Sequence, residues 1–216
     1  METPSILRAS LLAASLGAAV AASAQGSPAI TSVTSTNVAG SVNGAGNQTI
    51  GWQFTIAQPI SVSRLGYHDL TPDTELVTTH HVGIWDAGGT LMTSTTVLLD
   101  DPLTDGFRYH TLAAPIVLAP GTYNLGASIV DTPSDDPALA DVYYFQATAI
   151  TTDPLITFVG AAASDDGTGF VNPTSITIGS LGRFGPNMAI EAVPEPATIA
   201  AVGLGVLGLL KRRKKA

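Results

Sequence analysis

The sequence predicts an all-β fold: a two-sheet antiparallel β-sandwich, with the jelly roll as one form of it. A secretory signal peptide and a short C-terminal membrane helix flank it. Three observations carry this reading. Between residues 49 and 193 apolar residues recur with period two, and no segment sustains a 3.6-residue pattern. Gly, Pro and Asp interrupt the apolar runs at short intervals, as turns between short strands do. The chain has no Cys, so a core and its backbone ladders, rather than disulfides, must hold it together.

The elements follow in order. Residues 25–48, rich in Ser, Thr, Gly and Asn, read as a flexible lead-in, a loosely held strand or linker. Trp52, Phe54 and Ile56 then alternate with Gly51, Gln53 and Thr55. Ile60 and Val62 share one parity while Leu65 and Tyr67 take the other, which predicts a bulge near Ser63–Arg64. His81–Trp85 and Leu91–Leu98 flank Asp86-Ala87-Gly88-Gly89-Thr90, a hairpin turn. Phe107–Leu112, Ile116–Leu118 and Tyr123–Val130 come next, the last two joined by Pro120-Gly121. Val142–Ala147, Leu155–Val159, Ser175–Ile178 and Met188–Val193 complete the set.

Charge separates the body from its ends. Of 216 residues 12% are charged, about half the usual globular share. The nine bases are Arg8, Arg64, Arg108, Arg183 and the run Lys211, Arg212, Arg213, Lys214 and Lys215. Residues 25–193 hold three arginines, no lysine and fifteen of the 17 acids, a formal charge of −12. Nucleic acid is excluded as a partner, since it requires clustered bases against phosphates.

Residues 1–24 have signal-peptide layout: Arg8, the apolar stretch Leu11–Ala22, then Ala22-Ser23-Ala24 for signal peptidase. Ala22 and Ala24 are the small residues its pocket admits. At the other end, Pro194-Glu195-Pro196 precedes the uncharged run 197–210 and the basic tail 211–215. Fourteen helical residues span ~21 Å, short of a ~30 Å hydrocarbon core, and basic snorkelling makes up part of the difference. Five cations fix the tail on the cytoplasmic side and place the body outside. The prolines keep the chain extended, the form in which a protease binds a backbone.

This C-terminal combination of Val193-Pro194-Glu195-Pro196-Ala197, Gly- and Leu-rich run and basic cluster resembles the PEP-CTERM sorting signal. The resemblance implies a Gram-negative exporter with an exosortase that cuts near the motif. It implies transient anchoring in the inner membrane, then release to the cell surface and exopolysaccharide matrix. Gly51-Trp52-Gln53-Phe54-Thr55, Leu65-Gly66-Tyr67-His68-Asp69, His81-Val82-Gly83-Ile84-Trp85-Asp86, Gly106-Phe107-Arg108-Tyr109 and Leu118-Ala119-Pro120-Gly121-Thr122-Tyr123 occur in that order. With Ile156-Thr157-Phe158 and Phe184-Gly185-Pro186-Asn187 they resemble an uncharacterised domain common in PEP-CTERM proteins. That resemblance implies a sandwich and a surface role, without a mechanism.

The body offers little chemistry. His80 and His81 are adjacent and face opposite sides of a strand, and neither HExxH spacing nor a Gly-x-Ser-x-Gly elbow occurs. Acids cluster at Asp69, Asp73 and Glu75; at Asp100, Asp101 and Asp105; at Asp131, Asp135, Asp136 and Asp141; and at Asp165 and Asp166. Oxygen ligands on loops suit Ca²⁺, but none of these has EF-hand spacing, and Asp ordinarily starts turns. Trp52 and Trp85 occupy alternating positions that favour burial, whereas one of Tyr143 and Tyr144 must face away from the core. The expectation is a non-enzymatic surface or matrix protein with no cofactor, no metal site and no catalytic residue. A carbohydrate-binding module, calcium-assisted or not, and a glycan hydrolase stand as the second and third readings.

Overall fold

The computed structural model describes residues 26–40, 47–69, 76, 78–129, 142–165, 167–179, 181 and 185–194. Thirteen strands run through them: β1 (Ser27–Pro28), β2 (Ile30–Gly40), β3 (Gln48–Ile56), β4 (Ile60–His68), β5 (His80–Asp86), β6 (Leu91–Val97) and β7 (Leu103–Thr104). Then come β8 (Phe107–Leu118), β9 (Gly121–Ile129), β10 (Val142–Thr152), β11 (Thr157–Ala163), β12 (Ser175–Ile178) and β13 (Pro186–Ala192). A five-stranded sheet in the order β1-β13-β4-β8-β7 packs on a six-stranded one in the order β12-β11-β3-β9-β5-β6, and β2 pairs with β10 as a separate ribbon.

Eight of these strands form a jelly roll. β5 pairs with β6, β4 with β8, β3 with β9 and β1 with β13, all antiparallel. These pairings nest one inside the next, as in a long hairpin centred on the β5–β6 turn. Rolling that hairpin brings β9 beside β5 and β13 beside β4, and divides the strands between two sheets.

The alternation read from the sequence is the core. Ile50, Trp52, Phe54 and Ile56 face inward from β3, and Leu65 and Tyr67 from β4. Leu125 and Ala127 of β9 and Met188 and Ile190 of β13 pack with them. Trp52 is fully buried and its Nε1–H donates across the sandwich to the Pro186 carbonyl, 2.9 Å away. The bulge sits where the parity slip places it. Arg64 pairs with Ala189 and Val62 with Ile190, so Ser63 is an extra residue against β13. On the β8 side Arg64 pairs with Thr111 and Val62 with Ile116, so residues 112–115 of β8 bulge opposite it.

The lead-in 25–48 contains β1 and the 11-residue β2, the strand form of its reading, and two other expectations change. Ile30, Thr31, Val33 and Thr34 supply β-branched side chains that a pleated ribbon favours. The strands drawn at Phe107–Leu112 and Ile116–Leu118 are one strand, β8. Pro115 looks like a breaker, but the register shift between Thr111 and Ile116 places it where no ladder N–H is required. The strand drawn at Leu155–Val159 starts at Thr157 and runs to Ala163, because Asp153 holds residues 153–156 in a turn.

Three of the four edges of the two main sheets are managed by length. The edge strands β1 and β7 have two residues each and β12 has four, too short to template another chain, whereas the fourth edge, β6, runs seven residues.

Candidate functional site

The end of β13 is where the described fold meets the sorting segment. Ala192 pairs with Ile60, and the Val193 N–H donates to the Pro59 carbonyl at 3.2 Å. Pro194 follows and is exposed. On the other flank, β1 brings the incoming chain alongside: Ser27 pairs with Ile190 and Pro28 with Ala189. Gly26 has φ +50°, and a Cβ there would lie 3.0 Å from the Ile190 nitrogen, so glycine permits this approach. Where β1 ends, the Asn187 side chain takes over the ladder. Its Oδ1 accepts from the Ile30 N–H at 3.0 Å and its Nδ2 donates to the Ile30 carbonyl at 2.9 Å.

A polar network occupies the opposite end of the sandwich. Arg108 Nε donates to Asp69 Oδ2 at 2.6 Å, and its terminal nitrogen donates to the Asp101 carbonyl at 3.0 Å. Asp101 in turn accepts from the Leu98 N–H at 2.7 Å and from His110 Nδ1 at 3.0 Å. Asp69 is 3% exposed, and its Oδ1 has no hydrogen-bond partner among the described residues. The two-residue β7–β8 loop closes this end with positive φ at Asp105 and Gly106, the Asp-Gly signature of a type I′ hairpin.

Residues 164–165 and 167–174 lie as a strap over the outer face of the six-stranded sheet. Thr49 Oγ1 donates to the Gly169 carbonyl and accepts from the Val171 N–H. Gln53 Nε2 donates to Asn124 Oδ1, whose Nδ2 donates to Asn172 Oδ1. Phe170 packs on Trp85 with ring centroids 5.0 Å apart, and His81 approaches it from the side. Trp85 is thus buried, as its position predicts, but under the strap and not between the sheets.

The other sequence-flagged residues are mostly structural. His80 stacks on Tyr67 at 3.6 Å between the sheets, and its Nδ1–H donates to the Ser128 carbonyl. His81 lies on the opposite face, as the strand alternation requires. Asp86, Asp101 and Asp153 hold turns through backbone N–H groups. On the outer face of the five-stranded sheet, Arg64 covers the Tyr109 ring at 4.9 Å. Burial pushes the Tyr109 hydroxyl far above the ordinary tyrosine range; Arg64 opposes this and Asp105 adds to it. No group of three or more metal-ligating side chains assembles among the described residues.

Sequence reasoning missed the Asp69–Arg108 pair, the Asn187 clamp and Phe170. Each joins residues distant in the chain, and Phe170 is a lone aromatic in a Gly-, Asp- and Asn-rich stretch. Ala22, Ala24, Glu195, Pro196, the tail Lys211 to Lys215, Asp73, Glu75, and the acids at 131, 135, 136, 141 and 166 lie outside the described residues. So do the predicted helix 197–210 and the side chains of Tyr143 and Tyr144. No helix of the described residues is long and apolar enough to cross a membrane.

A family model described as a domain of unknown function, DUF4082, matches residues 33–179. The chain belongs to this DUF4082 family. The matched span runs from within β2 to just past β12, and the two strands that close the five-stranded sheet, β1 and β13, flank it. A second model, the PEP-CTERM protein-sorting motif, matches residues 192–215 and so begins on the last residue of β13. This motif marks the DUF4082 chain as an exported exosortase substrate bound for the cell surface. No curated protein and no solved structure matches it.

Proposed function

We propose that this DUF4082 chain is a non-catalytic building or interaction protein of a Gram-negative cell surface and its exopolysaccharide matrix. Signal peptidase removes residues 1–24, the inner membrane holds the precursor by its tail, and exosortase then frees the body. The observation that carries the reading is the sorting motif, which starts on the final strand of a sandwich with no intervening linker. The use of the body's polar groups supports the same reading. Asp86, Asp101 and Asp153 are engaged in turns, Arg108 is engaged with Asp69, and Trp52 and Trp85 are buried.

Intact-mass measurement of the exported protein tests this. The mature chain is expected to begin at Gln25 and to end near Pro194–Ala197. Glu195→Gln is expected to accumulate in the membrane fraction with its tail intact. A mature protein that keeps Lys211–Lys215 would replace the sorting reading with a permanent anchor. The matrix role is read separately, by co-sedimentation of the mature protein with the producer's own exopolysaccharide. Absence from that pellet in producing cells would remove it.

A further inference from the structure

We infer that the membrane-held precursor stands on the bilayer by the end of the sandwich that carries Gly26 and Val193, with its acidic end turned away. The inference rests on the membrane-held reading above and adds an orientation to it.

The register places both connections to the outer segments at one end. Because β1 and β13 are antiparallel and Ser27 pairs with Ile190, the residue entering the fold lies beside the one leaving it. Val193 is tied to Pro59, and only Pro194 separates it from Glu195. Two extended residues reach at most about 7 Å, so the motif is held close to the sheet. The same end carries the 57–59 turn, the 119–120 turn and the 153–156 turn.

Acids are divided unequally between the two ends. Among the described residues Asp86, Asp153 and Glu191 lie toward the near end, and Asp86 and Asp153 hold turns there. Asp69, Asp100, Asp101, Asp105 and Asp165 lie at the far end, beyond His68, Val97, Phe107 and Ala163. The nine residues of β4 separate the ends by about 30 Å at ~3.3 Å each.

Any anionic potential on the membrane face that receives such a chain decays within a Debye length of about 8–10 Å. With the near end against the bilayer, the acidic end lies several screening lengths out. The reverse orientation would press those carboxylates against like charge and would need more chain between Val193 and the motif than is present.

The absence of cysteine makes the test direct. Gln58→Cys in the near turn and Leu99→Cys at the far end are both at exposed positions. Each gives one site for a fluorescent label. Full-length chain carrying either label is incorporated into vesicles of phosphatidylethanolamine and phosphatidylglycerol that contain a headgroup spin-labelled lipid. Strong quenching at position 58 with none above background at position 99 is the expected result. Equal quenching at both sites, or stronger quenching at 99, in chain that floats with the vesicles would overturn the orientation alone. Full-length chain that fails to float with the vesicles would overturn the membrane-held reading and the orientation with it. Circular dichroism of each labelled chain establishes that it retains the β fold.

Discussion

Single residues in this body do most when they reach from one sheet to the other. Trp52 and the Tyr67–His80 stack each place a polar atom in the core, and the Pro186 and Ser128 carbonyls accept from them. Tyr109 is different, because its hydroxyl is buried with no partner among the described residues. An unpaired hydroxyl carries its desolvation cost without return, so Tyr109→Phe is expected to raise stability by about 1 kcal/mol at neutral pH. The pH dependence has a definite sign. In the unfolded chain the phenol ionises near ~10, while burial keeps it protonated in the fold well beyond that range. Stability is therefore full below pH ~10 and falls as pH rises through the unfolded value toward the folded one. Urea unfolding of both proteins at neutral and strongly alkaline pH checks this. The gap in favour of the variant should widen with pH, and a variant clearly less stable than the parent at neutral pH would mean the hydroxyl is satisfied in solution.

At the scale of elements, what was legible in the sequence is what depends on neighbours in the chain. The inward set of β3, the Asp86–Thr90 turn and the Ser63 bulge all announce themselves through parity and turn residues. Elements defined by remote partners do not. β2 is a strand because β10 lies beside it, and the strap holds its course because Thr49, Asn124 and Trp85 receive it. The sorting motif was legible because an exosortase reads a linear segment, and the sandwich class was legible from parity, whereas the remote pairings that present the motif were not. The strap depends on Gly83, where a Cβ would come within 2.8 Å of the Phe170 ring. Gly83→Ala should then displace Phe170 and cost about 1–3 kcal/mol, the range for overpacking. Trp85 fluorescence reports it directly: a red shift toward the exposed indole spectrum is expected. An unchanged spectrum and melting temperature would show that the strap does not depend on this contact.

For the molecule as a whole, the nested hairpin explains why charge and processing fall at opposite ends. Rolling it brings β1 and β13 together, so entry and exit share one end. Among the described residues five of the eight acids, Asp69, Asp100, Asp101, Asp105 and Asp165, lie at the other. With three arginines against fifteen acids in residues 25–193, like charges repel one another in the compact state and oppose folding. NaCl should therefore raise the melting temperature of the mature protein by screening that repulsion. MgCl₂ and CaCl₂ at matched ionic strength should act alike, since no three of the described carboxylates gather as metal ligands. A specific calcium site makes a different demand: saturable stabilisation by Ca²⁺ beyond that given by Mg²⁺. Thermal melts in the three salts separate the cases. If only calcium acts, and Asp135→Asn with Asp136→Asn abolishes its effect, those carboxylates hold a bound ion and are not merely screened charges.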